Sequence, residues 1–396
     1  MDNQRYQARW IFPSDSEPIE HGVLEIQDNV IVGFSGAHDP KAIDLGNVAI
    51  IPGLVNAHTH LEFSDLAEPI EPAVPFDTWI RNLVGHRMNR NTDVANIVGS
   101  GLRQSQQHGV VAVGEIATQG WSSAAFKQSN IRSVVFRELI GLLDAQISEQ
   151  ASIALAHLEG GNSSPVKGLS PHAPFSVHPE LLDQLIALAL SHDAPIAMHV
   201  AETKAELELL RSRSGSLVEM LQSFGVWNPS AFATSMKPVD ILRRLATLNR
   251  VLVIHGNYLD PEEIDFLSNS PQFTVVYCPR THAFFQHSQH PWLNMLESGV
   301  SVAIGTDGRG SNPDLSIWNE LKFLHGQRQQ LEPSELLRLG TDAGATALKL
   351  QGYGVRVGSN LDLSIIDLPD SNASCGYQLL FDQQTAARQF IPRPTA

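Results

Sequence analysis

The chain has 396 residues, 42% hydrophobic and 17% charged, with a formal net charge of −15. This is the balance of an ordinary folded protein, long enough for one barrel-sized domain with a smaller companion. The acidic excess excludes a nucleic-acid partner as the working expectation, because neutralising phosphates takes clustered Lys and Arg. Only two cysteines are present, Cys278 and Cys375; they offer neither a disulfide framework nor a Cys-x-x-Cys pair, which points to a reducing cytoplasm.

Taken in chain order, the opening "MDNQRYQARWIFPSDSEPIE" lacks the basic-then-apolar order of a signal peptide, and no apolar run approaches the roughly 18 residues of a spanning helix. Neither export nor a membrane anchor is expected. Up to residue 49, short runs such as "YQARWIF" and "GVLEIQDNVIVGF" alternate with Gly, Pro and Asp turns, the signature of a small antiparallel sheet. The run "NVAIIPGL" then leads into "VNAHTH" and reads as the first strand of a second regime. Across residues 50–347, "GVVAVGEI", "IRSVVFREL", "VKGLSPHAP", "PIAMHVAET", "RVLVIHGN", "FTVVYCP" and "VSVAIGTDG" read as strands. Between them lie amphipathic helical stretches such as "ELLDQLIALALSH" and "IWNELKFLHGQR". Strands alternating with helices imply right-handed crossovers and a parallel sheet, and this many units predict an α/β fold, a (β/α)8 TIM-type barrel. From residue 348 onward, "GYGVRVGSNLDLSIIDLP" returns to short strands. Segments 1–49 and 348–396 are therefore expected to pair as one small β-sandwich domain beside the barrel.

The polar chemistry gathers at the strand ends. His58 and His60 close the first barrel strand, and residues i and i+2 share a face. His199 ends "PIAMHV", His255 ends "RVLVIH" and Asp307 ends "VSVAIGTD". In a parallel barrel these C-terminal ends converge on one face, where active sites form. A lone strand-end histidine is usually a hydrogen-bonded structural residue. An H-x-H followed by His, His and Asp at three later strand ends is instead a ligand set for one divalent ion, zinc first, with iron or manganese as substitutes.

"IPGLVNAHTHLEF", "HVAET", "VIHGNYL" and "GTDGRGSNPDL", in that order, resemble the amidohydrolase superfamily, and within it the branch of cytosine deaminase, chlorotriazine hydrolases and adenosine-type deaminases. The resemblance covers nearly the whole chain. It implies that His58, His60, His199 and Asp307 bind one metal ion, that Glu202 in H-x-x-E shuttles protons, and that His255 orients the attacking water. Lys167, near the fourth strand where dinuclear relatives carry a carboxylated lysine, is read as a solvated lysine because His172 takes the strand end. A bound divalent ion brings the pKa of water from 15.7 to about 7, Asp307 can accept the water proton, and Glu202 can protonate a substrate ring nitrogen. Relatives of this branch often pair as homodimers.

Substrate contacts are expected from His172, Glu202, Arg137 and Trp79. His172 matches a substrate-contacting histidine of the adenosine-type relatives. Arg137 and Glu138 in "FRELIG" stand where one of them can face the substrate's polar tail. Phe76 and Trp79, in a long loop after the first strand, can close over a ligand ring. Two features depart from the branch: "CPRTHAFF" puts Thr281 and His282 where many deaminases carry Ser-Asn, and "VGHRMNR" stands where nucleoside-type relatives carry a ribose-gripping glutamate. The combination is most similar to the aminodeoxyfutalosine deaminases. The implied activity is ammonia release from an aminated purine or adenosine-like small molecule, such as 6-aminodeoxyfutalosine. The alternatives are a cyclic-amide or chlorinated-ring hydrolase with the same site, and a non-catalytic scaffold.

Overall fold

The computed structural model of the chain describes residues 4–161, 165–327, 331–371 and 375–393. Eight strands form one parallel sheet in sequential order: β1 (Leu54–Thr59), β2 (Val110–Ala117), β3 (Arg132–Leu139), β4 (Val166–Pro171), β5 (Ile196–Val200), β6 (Val251–His255), β7 (Phe273–Tyr277) and β8 (Val302–Ile304). Each is short, mostly Val, Ile and Ala, and is buried along most or all of its length, as strands covered on both faces must be. Helices on the outside cover one face. The helix Pro179–Ser191 starts with Pro in its first turn and turns Leu181, Leu182, Leu185, Ile186 and Ala189 inward, the spacing of one helical stripe. Val134, Phe136, Ala197, Leu252, Ile254 and Val276 belong to a separate inner core. This is the (β/α)8 barrel expected from the alternation of strands and helices.

The seam between β8 and β1 is closed by something other than a regular ladder. The amides of Thr306 and Asp307 both donate to the His58 carbonyl at 3.1 Å. Beside them the Asn56 side chain acts as a surrogate strand: its Nδ2 donates to Thr306 Oγ1 (2.7 Å) and its Oδ1 accepts from Thr306 N (3.1 Å).

The terminal segments build two further sheets. One orders Val30–Ser35, Val23–Gln27, Gln4–Gln7 and Ile43–Asp44; the other orders Ala386–Gln389, Leu363–Asp367, Val48–Pro52, Trp10–Ile11 and Ile19–Glu20. They share one apolar core that includes Tyr6, Leu24, Ile31, Ile50, Leu363 and Phe390, so both chain ends contribute to a β-sandwich. Here the reading of "NVAIIPGL" is corrected: Val48–Pro52 pairs with Leu363–Asp367 and Trp10–Ile11 in this sandwich, and β1 begins only at Leu54. Gly53 is the break. A Cβ there would lie 2.4 Å from Val111 Cγ2 and 2.7 Å from the Asp362 carbonyl oxygen, so only glycine lets the chain pass from sandwich to barrel. Ser364 Oγ then ties the two bodies, accepting from Leu54 N at 2.9 Å and donating to the Gly109 carbonyl at 2.6 Å. Among the described residues no helix is long and apolar enough to cross a membrane.

Candidate metal centre and cavity

Three imidazoles and one carboxylate meet at the C-terminal mouth of the barrel. His58 and His60 come from the end of β1, with rings 5.0 Å apart. The turn after them is held by Glu115 of β2, whose carboxyl oxygens accept from Leu61 N at 3.2 and 3.0 Å. His199 comes from β5; its Nδ1–H donates to the His172 carbonyl at 2.8 Å, which fixes the tautomer and leaves Nε2 free to ligate. Asp307 follows β8 with φ at +60°, a left-handed backbone uncommon for a residue with a Cβ and frequent at functional sites. Its Oδ2 accepts from Ser311 Oγ at 2.7 Å, which turns Oδ1 toward the imidazoles.

The spacing fits a cation. His58 Nε2 and His60 Nε2 lie 3.5 and 3.6 Å from Asp307 Oδ1, and His60 Nε2 lies 3.4 Å from His199 Nε2. Tetrahedral ligands at zinc-type bond lengths stand about 3.3 Å apart. Ligand atoms of His58, His60 and His199 all fall within 4.8 Å of one another. Both ring nitrogens of His58 are buried without a hydrogen-bond partner, a cost that a bound ion would relieve at Nε2. Burial pushes the His60 and His199 imidazoles well below their ordinary value, so they are neutral, the form that ligates. Burial alone would raise the Asp307 carboxyl, but the contact with His58 and the facing imidazoles of His60 and His255 outweigh it and hold the group well below the usual carboxylate range.

Glu202 and His255 stand beside this cluster. Glu202 Oε1 lies 3.5 Å from His255 Nε2, and the His255 ring is 5.3 Å from that of His199 and 5.7 Å from that of His58. His255 also has a left-handed backbone, with φ at +67°. Burial, then the charges of Asp307 and Glu206, push the Glu202 carboxyl well up, so it holds a proton that an exposed glutamate would have lost. Glu206, buried in the first turn of the helix Lys204–Ser212, fastens the Glu202 loop: its two oxygens accept from Ala201 N (2.8 Å) and Glu202 N (2.9 Å).

These groups form one end of a cavity of about 220 Å³ whose lining includes His60, His172, His199, Glu202, His255 and Asp307. Its other walls are largely apolar, with Phe76, Trp79, Phe175, Met220, Leu221 and Phe224 among them. His172 lines it with Nδ1 2.6 Å from Ser176 Oγ, and burial pushes its ring down to about 3. Trp79 lines it too, stacked on Phe76 and fixed by its indole N–H on the Gly310 carbonyl at 3.1 Å. Arg137 is not brought to this cavity. It donates to the Ala117 carbonyl at 3.1 Å and lines an adjoining depression, because on β3 it alternates with the inward residues Phe136 and Glu138. Glu138 lines the cavity in its place. Lys167, the second residue of β4, does not line it. Sequence reasoning missed Glu115, Glu206, Ser311 and Asn56; the one available signal was the acid in the first turn of "AELELL", which looks like ordinary helix-dipole charge.

Known proteins resemble this chain over most of its length. The family model described as "Amidohydrolase family" matches residues 49–393. The 5-methylthioadenosine/S-adenosylhomocysteine deaminase of Pyrococcus furiosus is 28% identical over 370 residues, covering 88% of this chain and 81% of the relative. The aminodeoxyfutalosine deaminase of Nitratiruptor sp. is 27% identical over 366 residues, covering 88% and 85%. Among solved structures, Helicobacter pylori aminofutalosine deaminase in complex with methylthio-coformycin superposes with a TM-score of 0.84 at 21% identity, covering 97% of both chains; at that identity the likeness speaks for the fold.

Proposed function

The chain belongs to the amidohydrolase family, and from that premise we propose that it is a metal-dependent aminohydrolase that releases ammonia from an aminated purine or adenosine-like compound, 6-aminodeoxyfutalosine being one candidate. The observation that carries this reading is the meeting of three imidazoles and the Asp307 carboxylate with Glu202, whose carboxyl burial pushes up, at one end of an otherwise apolar cavity. The deaminase names of the relatives support the substrate class.

His58, His60, His199 and Asp307 would hold one divalent ion, zinc first, since imidazole and carboxylate donors suit it. When bound, the ion supplies Lewis acidity and makes water acidic enough to react near neutral pH. Asp307 Oδ1 faces the cluster and takes the water proton. Glu202 gives its proton to a ring nitrogen beside the amino-bearing carbon, so that carbon accepts the water oxygen. Asp307 then gives the proton it took from water to the amino group, the carbon–nitrogen bond breaks and ammonia leaves, while the proton of the new hydroxyl returns to Glu202. His255, 3.5 Å from Glu202, steadies the charge that develops on the adding oxygen. Trp79 and Phe76 pack over the ring and keep bulk water out. The unpaired thiols Cys278 and Cys375 support a cytoplasmic setting.

A screen of aminated purines and their nucleosides for ammonia tests the reading. The wild type should release ammonia from an adenosine-type compound. Glu202→Gln should lower turnover by roughly 10²- to 10⁴-fold, the usual worth of a positioned general acid, at unchanged metal content. His199→Ala should lose the metal. Hydrolysis without ammonia, or near-normal turnover in Glu202→Gln, would overturn the assignment.

A further inference from the structure

Glu138 is a carboxylate in the cavity wall that nothing in the chemistry above uses. It projects from the inner face of β3 in line with Val134 and Phe136. Its side chain is 7% exposed, yet among the described residues no hydrogen bond reaches either oxygen, and the one charged neighbour within 4 Å is Arg87, whose Nη2 stands off at 3.5 Å. Arg87 is committed elsewhere. The same Nη2 donates to Glu62 at 2.6 Å, and Arg90 adds a second bond to Glu62 at 3.0 Å. Glu138 helps to balance the charge of Arg87, but the hydrogen-bonding place on Nη2 is held by Glu62. Glu138 lines both this cavity and the adjoining depression, and a carboxylate with no hydrogen-bond donor on the protein keeps acceptor capacity for a molecule held there.

We propose that Glu138 is the specificity-determining acceptor of this site, taking hydrogen bonds from hydroxyl groups on the non-reacting part of a nucleoside-type substrate. The proposal rests on the deaminase reading for the identity of the reacting ring. Geometry sets the distance scale: the Leu139 carbonyl accepts from His172 N at 3.1 Å, and the His172 carbonyl accepts from His199 N at 2.9 Å. Glu138 thus stands two strands round the mouth from a metal-binding imidazole, at the reach of a sugar joined to a ring held over the cluster. Charge sets the chemistry of the donor. An anionic group would be repelled by Glu138 itself, and a cationic one would meet Arg87 and the bound cation. A neutral hydroxyl satisfies the carboxylate without either conflict.

The test compares wild type, Glu138→Ala and the isosteric Glu138→Gln, all metal-loaded, on 5′-methylthioadenosine and its 2′,3′-dideoxy counterpart, by ammonia release and by equilibrium binding of inosine and 2′,3′-dideoxyinosine. In the wild type the hydroxylated compound of each pair should be preferred by roughly ten- to a hundred-fold, the worth of hydrogen bonds to a charged acceptor. Glu138→Ala should bring the ratio close to one, and Glu138→Gln should fall between. A wild type without the preference, or a Glu138→Ala protein that keeps it, would overturn the proposal. Selective inosine binding with no ammonia from either nucleoside would sink the deaminase reading while leaving Glu138 its role. Failure of the wild type to bind any of the compounds would overturn both.

Discussion

Ser311 and Glu206 show how single side chains set the chemistry without touching the reacting atoms. Ser311 donates to Asp307 Oδ2 at 2.7 Å and lies 3.1 Å from Thr281 Oγ1, which in turn donates to the Thr306 carbonyl at 3.2 Å. The threonine that departs from the branch's Ser-Asn pattern thus lies beside the serine that aims Asp307. Ser311→Ala frees the carboxylate to rotate, and metal affinity should fall roughly 10- to 100-fold, as for other partners of ligands; competition with a chelator reads it, and an unchanged constant would show that Asp307 is aimed by backbone alone. Glu206 carries a pH dependence. Burial pushes its carboxyl from 4.5 up to about 7, against three backbone N–H groups that pull it down. A group raised in the folded state adds stability below its unfolded value and loses it as pH rises through the folded one. Glu206→Gln cannot ionise, so its stability deficit against wild type should shrink by up to about 3 kcal/mol between about pH 4 and about pH 8. Urea denaturation at both ends checks this, and a deficit that stays constant would mean that Glu206 never changes charge.

At the scale of strands, what holds the proposed ligands in register is the β8–β1 seam, and this was invisible in the sequence. His58 and Asp307 sit on opposite sides of it, joined by the bifurcated His58 carbonyl and the Asn56 side chain. Asn56→Ala removes two hydrogen bonds across the seam, although Thr306 N keeps the His58 carbonyl and Thr306 Oγ1 keeps the Asp307 carbonyl; the loss should cost roughly 1–3 kcal/mol and weaken metal binding together with it. Calorimetry and a metal titration on the same variant test that linkage; lost stability at full metal affinity would separate the seam from the site. The strands themselves were legible because apolar runs bounded by turns recur between amphipathic helices. Strand-end histidines were legible because a parallel barrel leaves its polar residues only one face to occupy. Which face each residue takes was not. Barrel strands are buried on both sides, so the apolar run of residues 134–136 in β3 shows no alternation that could separate Arg137 from Glu138. Nor does composition foretell the left-handed backbones of His255, the last residue of β6, and Asp307, beyond β8, which re-aim side chains at the strand ends. "NVAIIPGL" was misplaced for a related reason: Val48–Pro52 and β1 are both fully buried, and only Gly53 marks the passage from one sheet to another.

For the molecule as a whole, the proposed ligands are cross-links between distant parts of one closed sheet. His58 and His60 lie on β1, His199 on β5 across the mouth, and Asp307 beyond β8. In an unfolded chain these groups are far apart and gain little from an ion, so binding should stabilise the folded state alone. At an ion concentration a hundred times the dissociation constant, that linkage is worth about 2.7 kcal/mol. Stripping the protein with a chelator should therefore lower its Tm by a few degrees, and adding zinc back should restore it. The same treatment should leave the Tm of His199→Ala unmoved, because that variant has already lost one corner of the site. The pairing of the two experiments matters, since a chelator can also act on adventitious surface ions, and only an effect that vanishes with His199 belongs to the barrel mouth. A wild type whose Tm holds steady while its metal content falls would mean that the imidazoles are already in place without the ion, and that the hydrogen bonds of Glu115, Ser311 and Asn56 alone preorganise the centre.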